Sequence, residues 1–352
     1  MNNMNSVTLG RTGLEVTKNS FGCLPIQRVS EEYAVMLMRK ACDAGINFYD
    51  TARGYTDSEE KVGVAFEGIR ENIIIATKTP AKNANGFWED LETSLSLLKT
   101  DYVDILQFHN PAFVPRPGDE NGLYDAILQA QRQGKVRHIG ITNHRPAVAK
   151  EAILSGLYDT LQFPFNYLAT DTDLELIELC KQNDVGFISM KGLSGGLITN
   201  SAAACAYQDK FDNVVTIWGV QKENELDEFI AHQKNPPVMD DTLQTIIEND
   251  RADLMGEFCR ACGYCLPCPV GIEINTAARM MYLLRRSPSA RLLSEESKQM
   301  MSKVADCIEC GQCKSKCPYG LDTPTLLKKH YKDYLEVIAG KPLSEADFLN
   351  RT

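Results

Sequence analysis

The sequence lacks the features that would tie it to a membrane or to nucleic acid. It contains no run of about 18 apolar residues, so no segment is predicted to span a bilayer. Residues 1–7 are polar and lack the charged and apolar regions of a signal peptide. The formal net charge is -10, and an acidic surface repels nucleic acid and anionic lipid. We therefore expect a cytoplasmic protein with neither partner.

A glycine-rich dinucleotide fingerprint is also absent after the first predicted strand, which argues against an open doubly wound sheet. The chain up to residue 235 instead alternates short apolar segments with longer amphipathic ones. The predicted strands are 20–24, 47–50, 73–77, 104–108, 138–142, 160–164, 186–190 and 214–218. The predicted helices are 31–44, 86–98, 122–133, 147–155 and 173–183. This alternation predicts an α/β fold, a (β/α)8 TIM barrel, with a hairpin ahead of it at 7–16.

A domain boundary is predicted near residues 235–237, after the last barrel helix. Beyond it the chain shows helical spacing of apolar residues in 241–248, 276–286, 294–305 and 323–337, with a polar tail from 340. We therefore expect a barrel domain at 1–235 and a small all-helical domain at 236–352.

The 12 cysteines are unevenly distributed along the chain. Cys23, Cys42, Cys180 and Cys205 are scattered singly, as small buried apolar residues often are. The others all lie between residues 259 and 317. In a cytosolic chain, clustered cysteines indicate metal ligands rather than disulfides.

The second cysteine motif has the spacing of bacterial ferredoxins, C-x2-C-x2-C-x3-C-P. It comprises Cys307, Cys310, Cys313 and Cys317, followed by Pro318. Two residues between cysteines let the backbone turn around one corner of an iron–sulfur cluster. In that pattern the fourth cysteine binds the other cluster of the pair.

The first cysteine motif has a last gap that is one residue shorter. It comprises Cys259, Cys262, Cys265 and Cys268, followed by Pro269. By analogy, one 4Fe-4S cluster would be held by Cys259, Cys262, Cys265 and Cys317, and the other by Cys307, Cys310, Cys313 and Cys268. The alternative is structural zinc, but zinc sites usually use two C-x2-C pairs separated by a spacer.

Polar residues at or just beyond three predicted strands form a candidate catalytic set. Asp50 ends one strand and Tyr55 follows it, while Lys78 and His109 come directly after two later strands. In a (β/α)8 barrel these strand ends meet at one face, where active sites are built. Tyrosine is a weak acid unless a cation lies nearby, so Lys78 beside it, paired with Asp50, predicts proton transfer.

Residues 48–59, Phe-Tyr-Asp-Thr-Ala-Arg-Gly-Tyr-Thr-Asp-Ser-Glu, are similar to the signature of the aldo-keto reductase family. Thr77-Lys78 and His109 resemble its later catalytic positions. The resemblance implies hydride transfer from NADPH or NADH to a small-molecule carbonyl substrate. In that scheme Tyr55 is the general acid, Lys78 tunes it, Asp50 holds the lysine and His109 orients the carbonyl.

The resemblance also implies a set of cofactor-binding positions. Thr142, Asn143 and Gln162 would bind the carboxamide, Met190 would face the nicotinamide ring, and Lys191, Gly195 and Gly196 would lie near the pyrophosphate. Gly219, Gln221 and Lys222 resemble the adenosine-binding segment. A 2′-phosphate would meet Lys222 but also the acidic Glu223 and Glu225, so the sequence leaves NADPH and NADH open.

The cysteine-rich blocks resemble those of aldo-keto reductases that carry a C-terminal ferredoxin-type 4Fe-4S domain. Three interpretations follow. The barrel reduces carbonyls while the clusters are structural or redox-sensing; the clusters feed electrons to a substrate or an undetected flavin; or the chain is mainly an electron-transfer module whose barrel docks a redox partner protein. We favour the first, because a docking module does not need the catalytic set.

Overall fold

The computed structural model describes residues 5–254, 258–286, 290–317 and 319–341. The chain forms two compact units. The first contains residues up to 192 together with 201–239, and the second contains residues 193–200 together with the chain from 240 onward. Pro318 and the tail beyond residue 341 lie outside the described residues.

The first unit is built on a closed barrel of eight parallel strands, which confirms the predicted fold class. The strands are β3 (Asn19–Gly22), β4 (Phe48–Asp50), β5 (Ile74–Thr79), β6 (Val103–His109), β7 (Val136–Thr142), β8 (Thr160–Pro164), β9 (Gly186–Met190) and β10 (Val214–Gly219). Strand β10 pairs with β3, which closes the barrel. The strands run as buried apolar stretches because helices cover their outer face.

An antiparallel hairpin covers the end of the barrel where the strands begin. Its strands β1 (Ser6–Thr8) and β2 (Glu15–Thr17) pair as predicted, with Val7 opposite Val16. Gly10 bridges to Val185, just before β9 starts. Leu9 and Val16 pack against apolar side chains of the barrel interior. The hairpin therefore leaves the carboxyl ends of the strands for the site.

Helices connect the strands: α1 (Glu31–Asp43), α2 (Ser58–Phe66), α3 (Ala84–Leu97), α4 (Leu123–Arg132), α5 (Pro146–Ser155), α6 (Asp171–Gln182), α7 (Ser201–Gln208) and α8 (Glu223–Lys234). The sequence predicted no bounds for α2, α7 or α8. Helices α2 and α7 are buried on most sides, with almost every residue of α7 inaccessible. A helix buried all round has no polar face, so the apolar periodicity that marks an amphipathic helix is missing.

Three strands, β5, β6 and β10, extend beyond their predicted ends. Lys78 and His109 were expected just after strands, but both lie within them, in β5 and at the end of β6. The reason is continued pairing, since Lys78 is in register with Gln107 and His109 with Thr142. A strand position fixes a side chain more firmly than a loop does.

The second unit, taken by itself, is helical in its described residues. Its helices are α9 (Asp241–Leu254), α10 (Ile274–Ala277), α11 (Met280–Arg286), α12 (Glu295–Ser302), α13 (Gln312–Ser315) and α14 (Thr323–Ile338). The predicted helix 276–286 is two helices, and the predicted helix 294–305 ends in a 3-10 turn, Lys303–Asp306. None of the helices in the described ranges is long and apolar enough to cross a membrane.

Candidate functional site

A buried ion pair lies at the carboxyl end of β4 and β5. Lys78 Nζ donates to Asp50 Oδ2 at 2.5 Å and to the carbonyl of Thr51 at 2.7 Å. The two side chains are 1% and 2% exposed. Because water is excluded, the interaction between their charges is stronger than it would be at the surface.

Two glutamines complete the hydrogen bonding of the Asp50 carboxylate. Gln107 Nε2 donates to Asp50 Oδ1 at 3.1 Å and to Gln162 Oε1 at 2.8 Å, and Gln162 Nε2 lies 3.3 Å from Asp50 Oδ2. Gln107 was missed by the sequence reasoning. The signal was available, because Gln107 stands two residues before His109 on one strand and so faces the same side.

Tyr55 and His109 lie close to the ion pair. Lys78 Nζ is 5.0 Å from the centroid of the Tyr55 ring. The rings of Tyr55 and His109 meet edge to face, with centroids 5.8 Å apart. The structure therefore brings all four residues of the candidate catalytic set together.

Burial determines the protonation states of this group. Burial raises the pKa of the Tyr55 phenol, and the charge of Lys78 acts in the opposite direction. Burial also lowers the pKa of His109 to about 3, with a further contribution from Lys78. Burial alone would lower the pKa of Lys78, but Asp50 and Tyr55 outweigh it and the net change is upward. At neutral pH the set therefore holds a protonated phenol, a neutral imidazole and a charged ammonium.

Two of the expected carboxamide-binding residues, Thr142 and Gln162, are in register on neighbouring strands. Thr142 is also in register with His109 on the other side. The Asn143 side chain, however, is bound within the chain: its Nδ2 donates to the carbonyl of Pro111 at 2.9 Å, and its Oδ1 accepts from two backbone amides. In this conformation Asn143 shapes the following loop.

Most of the remaining cofactor positions fall at two other places in the barrel unit. Met190 ends β9, and Lys191 after it has a left-handed backbone with φ +60°. Gly219 ends β10. The backbone amides of Gln221 and Lys222 donate to Glu225 Oε2 at 2.9 and 3.0 Å, so Glu225 caps the start of α8. Gly195 and Gly196 belong to the second unit.

The two cysteine motifs share a backbone pattern. The residue before the second cysteine of each motif is left-handed, Ala261 at φ +52° and Glu309 at φ +51°, and so are the glycines that follow, Gly263 and Gly311. Residues other than glycine rarely adopt this conformation. Each motif is also followed by proline, a residue, glycine, an apolar residue and an acid. The cysteine segments are therefore an internal repeat longer than the cysteines themselves.

The cysteines group across the two motifs. Cys268 lines one cavity with Cys307, Cys310 and Cys313, and the apolar Ile272 and Leu327 lie beside them. Burial raises the pKa of Cys259, and nearby Cys262 and Cys317 add to that rise. Cys265 lies near Cys259 and Cys262, and it also lines the cavity.

The residues of this arrangement fit an iron–sulfur cluster in their chemistry, since cluster irons are held by cysteine thiolates. The soft thiol donors and apolar lining are also the surroundings that such clusters use.

Comparison with known proteins agrees with both halves of this description. The profile described as "Aldo/keto reductase family" matches residues 16–244, and that described as "4Fe-4S dicluster domain" matches residues 258–322. The chain is 32% identical over 211 residues to L-galactose dehydrogenase from Arabidopsis thaliana, covering 54% of this chain and 66% of that protein. It is 30% identical over 220 residues to the aldo-keto reductase YhdN of Bacillus subtilis, covering 56% and 64%.

The chain thus spans slightly less than two thirds of the length of these curated relatives. The holo form of aldo-keto reductase AKR11C1 from Bacillus halodurans shares the fold at a TM-score of 0.62, with 21% identity over 70% of this chain and 96% of that one. Because the family profile covers more than half of the sequence, and the barrel carries the residues of its signature, the chain belongs to the aldo/keto reductase family and carries a 4Fe-4S dicluster domain after its barrel.

Proposed function

We propose that this protein is an NAD(P)H-dependent oxidoreductase that reduces a small carbonyl compound. The observation that carries the proposal is the buried Lys78–Asp50 pair beside Tyr55. Burying two charges costs free energy unless each is compensated by the other and by neighbouring groups. Here the positive charge of Lys78 also lies beside the Tyr55 phenol, and such a charge stabilises the tyrosinate that forms when a tyrosine acts as an acid.

Each residue of the set has a defined task in this scheme. The nicotinamide, when bound, supplies the hydride that adds to the carbonyl carbon. The Tyr55 hydroxyl gives its proton to the carbonyl oxygen, so that the C=O group becomes an alcohol. Lys78 stabilises the tyrosinate that remains, and Asp50 fixes Lys78. His109, neutral at pH 7, donates a hydrogen bond that orients the carbonyl.

The barrel offers hydrogen-bonding groups suited to a nicotinamide carboxamide. Gln107 Oε1 is buried with no hydrogen-bond partner among the described residues, which leaves an acceptor in the site. Thr142 and Gln162 lie at the same end of the neighbouring strands. Gln221 and Lys222 would meet the adenosine end, with Lys222 as the cation for a 2′-phosphate when NADPH is the cofactor.

In the same proposal the cysteine-rich unit holds two 4Fe-4S clusters. The crosswise sets are Cys259, Cys262, Cys265 and Cys317, and Cys307, Cys310, Cys313 and Cys268. The shared backbone pattern of the two motifs supports one cluster each. We assign the clusters a structural or redox-sensing role, because a nicotinamide transfers two electrons as a hydride and a cluster transfers one at a time.

A second candidate function is electron transfer through the clusters to a substrate, a flavin or a protein partner. The observation in its favour is the exposure of the second motif. Cys310 is exposed, and the neighbouring Ile308 is 63% exposed. Electron donors reach clusters through such accessible edges.

Substitution of Tyr55 tests the reductase proposal. In Tyr55→Phe, we expect carbonyl reduction to fall by at least about 100-fold, the usual share of a general acid, with cluster absorption unchanged. Sugars and small aldehydes are suitable first substrates, since one relative is named for L-galactose. Retained turnover in this variant would contradict the assignment.

Two further measurements separate the candidate functions. Iron and sulfide analysis should give about eight of each per chain if two clusters are bound. Anaerobic addition of NADH or NADPH should leave cluster absorption unchanged under our proposal. Rapid bleaching would favour the electron-transfer function instead.

A further inference from the structure

The internal repeat of the cysteine-rich unit extends beyond the cysteines to a basic residue. In each half of the repeat the tenth residue after the proline is basic: Arg279 follows Pro269, and Lys328 follows Pro318. Arg279 lies in the turn between α10 and α11, and Lys328 lies in α14, both within the second compact unit. The two halves thus carry a matching cation, but its surroundings differ between them.

Arg279 is buried beside the first cysteine motif. Its exposed fraction is 7%. Cys259 packs in the same buried cluster as Ala278 and Met280, the residues on either side of Arg279. Burial lowers the pKa of Arg279, and the nearby Cys259 acts in the opposite direction. The guanidinium therefore lies close to one of the proposed ligands of the first cluster.

The hydrogen bonds that Arg279 donates all go to uncharged groups. Its Nη2 donates to the carbonyl of Ser194 at 2.6 Å and to the carbonyl of Gly195 at 3.1 Å, in the loop of residues 193–200, which belongs to the same compact unit. Its Nε is buried and has no hydrogen-bond partner among the described residues. A buried cation needs a compensating negative charge, and a thiolate at Cys259 would supply one.

Lys328, the matching residue of the other half, has different surroundings. Its side chain is 52% exposed and pairs with Glu309, whose side chain is 65% exposed. The hydrogen bond to Glu309 raises the pKa of Lys328, and the nearby Cys307 adds a smaller rise. Because water screens an exposed charge and Glu309 offsets it, Lys328 should influence the cysteines near it only weakly.

We propose that Arg279 raises the reduction potential of the cluster that contains Cys259 above that of the cluster that contains Cys307. The inference rests on the proposed content of two 4Fe-4S clusters. Four thiolates make a cluster site anionic and an added electron makes it more so, so a buried cation beside it stabilises the reduced form. The buried Nε–H of Arg279 is also available to a ligand sulfur, and hydrogen bonds to sulfur are a second determinant of this potential. In a redox-sensing role, Arg279 would set the potential at which the unit first responds.

The test is a redox titration of the full-length, cluster-loaded protein without oxygen, with dithionite as the reductant, mediator dyes and detection by EPR. Wild-type protein should show two one-electron steps. At the midpoint potential of the wild-type upper step, Arg279→Gln should lower the ratio of reduced to oxidised cluster at least about tenfold, which is a shift of about 59 mV for a one-electron couple. Arg279→Lys keeps the charge and should recover at least half of that shift.

Lys328→Gln is the matched control, because it removes the cation at the equivalent position of the repeat. It should change the corresponding ratio for the lower step by less than about threefold, since an exposed and paired charge has little effect. The inference is overturned by an upper step that does not move in Arg279→Gln, or that moves no more than the lower step does in Lys328→Gln.

A substitution in the other ligand set decides the question if Arg279→Gln does not retain its clusters. Cys310 is exposed and belongs to the proposed set that includes Cys307, so Cys310→Ser should move or abolish the lower step and leave the upper one in place. Movement of the upper step in Cys310→Ser would overturn the inference. Iron and sulfide analysis that gives a single cluster per chain would instead contradict the proposed cluster content, so the two failures are distinguishable.

Discussion

Replacing Asp50 by asparagine removes the carboxylate that faces the Lys78 ammonium at 2.5 Å inside the barrel. Removing one member of a buried pair typically costs about 3–5 kcal/mol, because the other charge is left without compensation. Lys78 can avoid that cost by losing its proton. At pH 7, deprotonation of a lysine with the reference pKa costs about 4.6 kcal/mol. We therefore expect Asp50→Asn to lower the free energy of unfolding by roughly 3–4.5 kcal/mol.

The double variant Asp50→Asn/Lys78→Met provides the decisive comparison. It removes both charges, so neither must be buried without a partner, and the amide oxygen introduced at position 50 can still accept from one of the two glutamines. We expect the double variant to be more stable than Asp50→Asn by about 1–3 kcal/mol. Carbonyl reduction should nevertheless be lost in the double variant, because Tyr55 no longer has a cation beside it, and it should fall in Asp50→Asn, because Lys78 is no longer fixed by a carboxylate.

The measurement is urea denaturation followed by tryptophan fluorescence. The chain has 2 tryptophans, and both, Trp88 and Trp218, belong to the barrel unit. The signal therefore reports on unfolding of that unit. Glu67→Gln is a suitable control, because Glu67 pairs with Lys99 at 2.6 Å but is 64% exposed. That change should cost less than about 1 kcal/mol. An equally small loss for Asp50→Asn, or additive losses in the double variant, would refute the reasoning.

Three further predictions concern acid stability, nucleotide choice and the cluster turns. The pKa of His109 is lowered to about 3, so between that value and about pH 6.5 the unfolded state binds more protons than the folded state. The free energy of unfolding of the barrel should therefore fall as the pH is lowered through this range. In urea titrations at several pH values, His109→Gln should reduce the dependence of that free energy on pH by up to about 1.4 kcal/mol per pH unit. Glu225→Gln keeps the cap of α8 but removes a negative charge that would repel a 2′-phosphate. The ratio of NADPH affinity to NADH affinity should therefore rise roughly two- to fivefold. An unchanged ratio would place the 2′-phosphate elsewhere. Gly311 has φ +72° with open space for a Cβ atom, so a substitution there strains the backbone without a steric clash. Asparagine tolerates this conformation better than alanine. Cluster absorption should therefore be lost faster in air from Gly311→Ala than from Gly311→Asn.

The barrel could be predicted from sequence because its strands are short, apolar and regularly spaced. Strands β8 and β9 have the predicted bounds. Helices α2 and α7 were not predicted, because both are buried on most sides and their sequences lack the spacing of apolar and polar residues that marks an amphipathic helix. In the candidate site, the four residues of the candidate catalytic set could be singled out because they stand at or just beyond the ends of predicted strands. Gln107 lies deeper in its strand and was missed.

The hydrogen bonds that Arg279 Nη2 donates to the carbonyl groups of Ser194 and Gly195, at 2.6 and 3.1 Å, could not have been predicted. They join residues 85 and 84 positions apart in sequence, and each partner alone has an ordinary explanation. The glycines of the loop indicate a turn, and an arginine among helical residues is typical of a surface charge. Sequence periodicity reports local structure, whereas this contact depends on how distant segments pack.

The chemistry of the two halves argues for division of labour. In the reaction that we propose, the candidate catalytic set delivers one proton beside a hydride, which carries two electrons together. A cluster accepts one electron at a time, and a one-electron nicotinamide intermediate is very unstable. Direct exchange between the two is therefore unfavourable whatever their separation.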